Sequence, residues 1–97
     1  MQFKVARILE AKLHPNADRL LILKVDTGEV QKEVVAGIAR HYAPSDLAGK
    51  LVVIVDNMEP ATIRGVISQG MVLAAQDGDN LSLIVSERLV APGAPVR

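Results

Sequence analysis

The chain has 97 residues, no cysteine, and eleven Lys and Arg balanced by eleven Asp and Glu. This composition excludes a disulfide framework and a thiolate metal site, and a net charge of zero means that attraction for phosphate has to come from a local patch. With 49% hydrophobic residues, we expect one domain over residues 1–97 that buries about two-thirds of its unfolded surface.

The sequence also predicts where the chain resides. The absence of cysteine is typical of a reducing compartment, and the opening residues Met1–Lys4 lack the apolar core of a secretory signal. The longest apolar runs, Leu51–Val55 and Met71–Ala75, are five residues each, far below the roughly 20 that a membrane-spanning helix needs. We therefore expect a cytoplasmic protein with no membrane partner.

The first predicted element is a β-strand over Phe3–Lys12. Its apolar residues alternate imperfectly, because Ile8 falls on the face opposite to the others, and this predicts a bulge or strong coiling. The segment His14–Asp18 ends the strand, since Pro15 has no N–H to donate to a ladder.

A β-hairpin follows. Its first strand has one apolar face, made by Leu21, Leu23 and Val25. Its second strand covers Gln31–Ala36, and the turn between the two spans Asp26–Val30.

The segment Gly37–Lys50 predicts short helical turns, one over Ile38–Tyr42 and one over Ser45–Gly49. The second has an N-cap after Pro44 and a glycine at its end. The next run, Leu51–Val55, is apolar and β-branched, which predicts a central strand that is buried on both faces.

The rest of the chain predicts two further strands. The first runs over Val66–Ala75 with an interruption at Gly70, and the tight turn Asp77–Asn80 leads into a strand over Leu81–Val85. The tail, Pro92–Pro95, is turn-like. An order of three strands, a short helical connection and then two or three more strands predicts an all-β fold class, a small five-stranded Greek-key OB-fold barrel with short helical turns between strands 3 and 4.

Several short blocks are spread along the chain, namely His14–Leu20, Val35–Ala39, Gly49-Lys50, Ile63–Val66 and Ser68–Met71. Taken together, they resemble one known family. In this order they resemble the tRNA-binding domain family, and the likeness is greatest to the C-terminal or beta-subunit domain of methionyl-tRNA synthetases and to free-standing tRNA-binding proteins. The resemblance covers almost the whole chain.

The resemblance implies a non-catalytic barrel that docks on the outer corner of folded tRNA and contacts the shape and backbone of the RNA with little sequence preference. It implies either a free-standing tRNA-binding protein or a module that helps a methionyl-tRNA synthetase catalytic chain to capture tRNA. It also implies a homodimer, to which we expect Ala91–Arg97 to contribute. The tRNA-binding residues that it implies are Asn16, Arg19, Arg64, Ser68 and Met71, with Gln69 and Arg40 as weaker additions.

The residue types alone also favour structured RNA. Phe3 and Tyr42 are the only aromatic side chains, whereas binders of single strands commonly stack bases on several aromatic rings. Arg, Asn, Ser and Gln suit phosphates and 2′-hydroxyls, and the planar guanidinium can bind two phosphate oxygens at once.

Each candidate residue also has an ordinary structural interpretation. Arg19 and Arg64 could be solvated surface charges, and Asn16, after a proline, is a typical turn residue. Ser68 could satisfy a backbone group at a strand irregularity, and Met71 could fill the core.

The sequence does not predict an enzyme. His14 and His41 have no second His or Cys at the spacing of a metal site. The serines have no nucleophile-elbow context, and no glycine-rich phosphate loop precedes a helix. We therefore expect no catalytic residue, no metal and no cofactor.

Two other functions stay open at this point. One is a protein-assembly or chaperone-like module of the same fold, for which Ile22 is the motive because it lies on the face opposite to Leu21 and Leu23 and is expected to be exposed or at an interface. The other is a structural appendage whose contact with RNA is too weak to matter alone.

Overall fold

A computed structural model describes residues 2–97, so Met1, in the segment used to exclude a secretory signal, lies outside it. The described chain contains one 3-10 turn, Pro44–Asp46, and no helix long and apolar enough to cross a membrane. Its strands are β1 (Phe3–Leu13), β2 (Leu21–Asp26), β3 (Gln31–Ala36), β4 (Leu51–Val55), β5 (Ala61–Ile63), β6 (Val66–Ser68), β7 (Met71–Val72), β8 (Ala74–Asp77) and β9 (Asn80–Leu83).

The main sheet has five strands in the order β3-β2-β1-β4-β7. It curls strongly into a half-barrel, which is consistent with an OB-like barrel. The pairs β5-β6 and β8-β9 form separate two-stranded sheets. The predicted all-β fold class is therefore confirmed, including the short helical turn between the third and fourth strands.

The predicted irregularity in β1 is confirmed as a register shift between Ile8 and Glu10. β1 pairs with β4 from Phe3 to Arg7 and with β2 from Arg7 to Leu13, so the shift lies within the pairing with β2. An extra residue in one strand bends that strand and increases its twist. The bulge therefore allows one long strand to pair with two neighbours, and it helps the sheet to curl.

The core lies inside this curl, and β4 is buried at all five positions, as predicted. Ile22 is also buried, at 5% exposure, so the prediction that it is exposed or at an interface is wrong. The reason is local: Ile22 lies on the outer face among charged side chains of its own strand and of the two neighbouring strands, whose aliphatic stems cover it. These are Glu10, Lys12, Lys24 and Glu33.

The predicted long strand Val66–Ala75 is broken into β6, β7 and β8. The backbone at Gly70 passes so close to β4 that an added Cβ would lie 2.9 Å from the Val55 carbonyl oxygen, and the N–H of Leu73 donates to Val53 O at 2.9 Å.

The 3-10 turn also differs in detail from the predicted turn. It begins at Pro44, and its N-cap residue makes no side-chain hydrogen bond.

The C-terminal segment lies beside the first half of β1. The N–H of Val5 donates to Ala94 O at 2.9 Å, and that of Val96 donates to Phe3 O at 2.9 Å. β1 therefore has a backbone partner on both sides in the stretch before its bulge.

An ion cluster joins β3 to β1 and to the end of β4 across the curl. Asp56, directly after β4, lies 2.9 Å from the Lys32 ammonium on β3 and 3.1 Å from the Lys4 ammonium on β1. The hydrogen bond from Lys32, helped by Lys4, holds the pKa of Asp56 below its usual value although partial burial opposes this. Since β3 and β4 are not neighbours in the sheet, the cluster helps to close it.

Replacing this carboxylate tests the contribution of the cluster. Because folding lowers the pKa of Asp56, the stabilisation is present above the unfolded-state pKa of about 4 and is lost as the pH falls through the folded-state pKa. We expect Asp56→Asn to lower the free energy of unfolding by about 1 kcal/mol at pH 7, measured by urea denaturation, and by less at pH about 3. An equal loss at both pH values would contradict this, and Asp79→Asn, in an exposed turn, is the matched control.

Candidate nucleic-acid interface

Three connecting segments meet at one end of the barrel. The β1–β2 loop, residues 14–20, meets the segment after β3 where the N–H of Ala39 donates to Arg19 O at 3.2 Å. It meets the β5–β6 hairpin where His14 Nε2 lies 3.1 Å from Ile63 O. In OB folds, the loop between the first two strands and the loop before the last strand commonly bind nucleic acid. This end of the barrel is therefore the candidate interface.

The β5–β6 hairpin turns through two residues with positive φ, Arg64 at +52° and Gly65 at +90°. This combination is the type I′ geometry that matches the twist of paired strands, and Asn-Gly is its preferred sequence. Glycine suits the second position because it has no Cβ. An arginine at the first position costs about 1 kcal/mol, and its side chain is exposed.

His14 is buried beside this turn, at 5% exposure. Its Nδ1 accepts a hydrogen bond from the N–H of Asn16 at 3.0 Å, and its Nε2 lies 3.1 Å from Ile63 O. Asn16 reaches the same turn through its side chain, whose Nδ2 donates to Arg64 O over a long 3.4 Å. The loop and the hairpin are therefore held together by two side chains of the loop.

A cleft of about 480 Å³ lies between the loop and the hairpin tip. Among residues 2–97, neither Arg19 nor Arg64 is within 4.0 Å of a carboxylate, so both guanidinium groups are available to a ligand. Asp18 adds one negative charge to the wall. The cleft is lined by Ala17, Asp18, Arg19, Leu20 and Arg64.

Ser68 and Gln69 both form hydrogen bonds within the chain. Ser68 is 3% exposed, and its hydroxyl accepts from the N–H of Val35 and donates to Gly70 O, both at 2.9 Å. Gln69 pairs with Glu33 twice, through its own N–H at 2.8 Å and through Oε1 at 3.0 Å. The surroundings of Ser68 thus match the structural interpretation of this residue, and direct contact with RNA stays a prediction.

Met71 and Arg40 are both exposed. Met71, at 48% exposure, lines a shallow apolar groove of about 280 Å³ between β3 and β7, together with Ile38 and Leu81. Arg40 directly follows Ala39, whose N–H is bonded to Arg19 O. Met71 is therefore not the core filler that its residue type suggests.

The structure thus brings two of the seven predicted residues, Arg19 and Arg64, to one cleft. Asn16 lies beside it, bonded to the hairpin tip, and Arg40 lies in the adjoining segment. The other three follow the outer edge of β3. Sequence reasoning missed the contact of His14, because its partner is a backbone carbonyl 49 residues away. Residues 2–97 contain no cluster of three or more His, Asp or Glu that could hold a metal ion.

Removing the Ser68 hydroxyl tests its structural role. Ser68→Ala leaves the buried N–H of Val35 and a Gly70 carbonyl without their partner, and we expect the free energy of unfolding to fall by about 1–3 kcal/mol. Chemical denaturation measures this, with Ser82→Ala, an exposed serine in β9, as the control. Unchanged stability together with weaker RNA binding would instead assign Ser68 to the contact surface.

Comparison with known proteins places this geometry in a family. Residues 3–95 match the family model described as "Putative tRNA binding domain". The chain is 48% identical over 97 residues to the methionine–tRNA ligase of Pyrococcus horikoshii, covering all of this chain and 13% of that protein.

Two solved structures have the same fold. The MetRS-related protein from Pyrococcus horikoshii superposes with a TM-score of 0.92 and 35% identity, over 99% of this chain and 89% of the other. The CsaA chaperone protein from Picrophilus torridus superposes with a TM-score of 0.90 and 27% identity, over 99% and 91%. The family model and the relatives together establish that this chain belongs to the tRNA-binding domain family.

Proposed function

We propose that this chain binds the outer corner of folded tRNA through the sugar-phosphate backbone and catalyses no reaction. The observation that carries the proposal is Arg64, an exposed cation held with a positive φ at the tip of a hairpin and facing the same cleft as Arg19. The proposed contacts are Asn16, Arg19, Arg40, Arg64, Gln69 and Met71, with Ser68 as a direct contact or as the support beneath them.

The backbone conformation of Arg64 supports a role for its side chain. At the first position of this turn, Asn or Gly would adopt the positive φ at lower cost. Strained residues persist where the surrounding structure holds them, and they cluster at functional sites. An arginine at this position is therefore better explained by its guanidinium than by the stability of the turn.

The neutral net charge makes the arrangement of the cations decisive. With eleven positive and eleven negative residues, no long-range field steers RNA toward the chain. Within residues 2–97, Arg19 and Arg64 have no carboxylate partner and line one cleft, and each can present a planar fork to phosphate oxygens. Recognition through phosphates and 2′-hydroxyls suits a folded RNA, and the scarcity of aromatic residues argues against base stacking.

The biological setting that we propose is tRNA capture by a methionyl-tRNA synthetase in the cytoplasm, with a free-standing tRNA-binding protein as the other possibility. The chain spans 13% of the length of the Pyrococcus horikoshii ligase that it matches. A weak RNA-binding module that is joined to, or associated with, a catalytic chain raises the effective concentration of tRNA near the active site. Modest affinity would therefore suffice.

We also propose that two copies of the chain act together. Leu89, at 85% exposure, and Val90, at 38%, leave apolar surface uncovered just before the C-terminal segment. The backbone of that segment is already bonded to β1, so a partner would contact the side chains of Ala91–Arg97. A dimer would double the number of phosphate contacts in one rigid frame.

A second function, the binding of a protein, has one observation in its favour. The groove that Met71 lines is apolar and open, and one of the similar structures is of a chaperone, CsaA. Ile22, which the sequence predicts to be exposed or at an interface, is buried and so does not support this function. A protein-binding module would show no salt-dependent affinity for tRNA, so the titration below separates the two functions.

Arg64→Asn tests the proposed site, because the change removes the guanidinium and improves the turn. We expect it to raise the free energy of unfolding by about 0.5–1 kcal/mol and to weaken binding to folded tRNA at low salt by about fivefold or more. Filter binding measures the affinity, and Arg88→Asn, an exposed arginine outside the predicted set, is the control.

The salt dependence belongs to the same test. For the wild-type chain, log affinity should fall with log salt at a slope of about 3 to 5 per bound domain, and Arg64→Asn should reduce that slope by about one. Wild-type affinity in Arg64→Asn would show that the site is wrong. A flat salt response of the wild-type chain would refute backbone recognition as a whole.

The dimer has its own measurement. We expect light scattering behind size-exclusion chromatography at micromolar concentration to give twice the 10.4 kDa mass of one chain, and Leu89→Lys to lower that mass by placing a charge on the exposed apolar surface. Glu87→Lys changes the charge of a neighbouring exposed residue and serves as the control. A strictly monomeric wild-type chain would refute the dimer.

A further inference from the structure

We infer that His14 is a positioning residue for RNA binding, because its imidazole joins the loop that carries Arg19 to the hairpin that carries Arg64 and so sets the distance between the two guanidinium groups. The inference rests on the proposed function of Arg64. His14 itself is buried, at 5% exposure, and does not reach the RNA.

The partners of the imidazole determine its tautomer. The backbone N–H of Asn16 can only donate, so Nδ1 has to accept from it. The carbonyl of Ile63 can only accept, so Nε2 has to carry the proton. The ring is therefore neutral, with its proton on Nε2, and each nitrogen holds a different segment of the chain.

The β5–β6 hairpin needs such a contact. It forms a sheet of only two strands, apart from the main sheet, and a two-stranded hairpin alone is marginally stable in water. At its tip, the bond from Asn16 to Arg64 O is exposed and long, whereas the bond from His14 to Ile63 O is shorter and more buried. His14 is thus the better-shielded of the two contacts at the tip.

The position of Ile63 links this contact to the RNA-facing side chain. Ile63 precedes Arg64, so fixing its carbonyl fixes the plane of the peptide that leads into the positive-φ residue. At the other nitrogen of the ring, the hydrogen bond from the Asn16 N–H ties Nδ1 to the loop that continues into Arg19. Two free arginines hold two phosphates well only when their separation is set in advance, since preorganisation reduces the ordering cost of binding.

Two conservative substitutions separate the effects of the two hydrogen bonds of the ring. Asn places an amide near the position of Nδ1, so His14→Asn keeps an acceptor for Asn16 and loses the reach to Ile63. Gln is longer, so His14→Gln can still donate to Ile63 O. Both changes remove the imidazole, and they differ in the contact that the inference requires.

The experiment measures binding of folded tRNA at low salt for His14→Asn, His14→Gln, Arg64→Asn and the double variant His14→Asn with Arg64→Asn. We expect His14→Asn to weaken binding about three- to tenfold and His14→Gln to restore most of that loss. In the Arg64→Asn background, His14→Asn should have little further effect, because the guanidinium that it positions is already absent. Imidazole 15N NMR of the free wild-type chain should show the proton on Nε2.

The outcomes separate this inference from the proposed function. If Arg64→Asn binds like the wild type, the proposed site is wrong. If Arg64→Asn weakens binding and His14→Asn does not, only the positioning role is overturned. Equal losses from His14→Asn in both backgrounds would make His14 a general stabiliser of the fold. Should His14→Asn fail to fold, His14→Gln and the NMR tautomer decide: a proton on Nδ1, or a loss with His14→Gln as large as that with Arg64→Asn, overturns the inference.

Discussion

This fold depends on pairing the backbone groups along the outer edge of β3. A curled sheet in the order β3-β2-β1-β4-β7 leaves that edge open, and unpaired backbone groups are costly when they are buried. Side chains close the edge here: the Ser68 hydroxyl accepts from Val35, and the Gln69 amide accepts from Glu33. Because Ser68 ends β6, closing the barrel also fixes where the β5–β6 hairpin leaves it, and hence where Arg64 stands.

Much of the first half of the fold follows from periodicity, because β1, β2 and β3 are long enough to show it and β4 is a continuous apolar run. The second half does not. β5 and β6 have three residues each and β7 has two, too few for alternation to register, and their limits are set by tertiary contacts such as the approach of Gly70 to Val55. Ile22 shows that alternation predicts the face of a residue but not its burial. It lies on the outer face, and long charged neighbours cover it there.

The candidate site was predictable in its residue types and only partly in its geometry. The motif around Asn16 and Arg19 and the motif around Arg64 are far apart in the sequence, yet the structure brings them to one cleft. A sequence pattern cannot tell a buried hydroxyl from an exposed one, so the sequence alone leaves two interpretations of Ser68 open. The sequence offers no second metal ligand for His14, and the partner of its ring is a main-chain carbonyl, which no residue type reveals.

These features share one physical logic. In the proposed function, a chain with no net charge has no long-range field to attract RNA, so its affinity would come from a few groups whose geometry is fixed before binding. The positive φ of Arg64 costs stability locally. Hydrogen bonds from two side chains of the neighbouring loop hold the turn in place. Such an arrangement suits the rigid phosphate backbone of a folded RNA, the ligand of the proposed function, because a spacing of the two arginines that is set in advance lowers the ordering cost of binding.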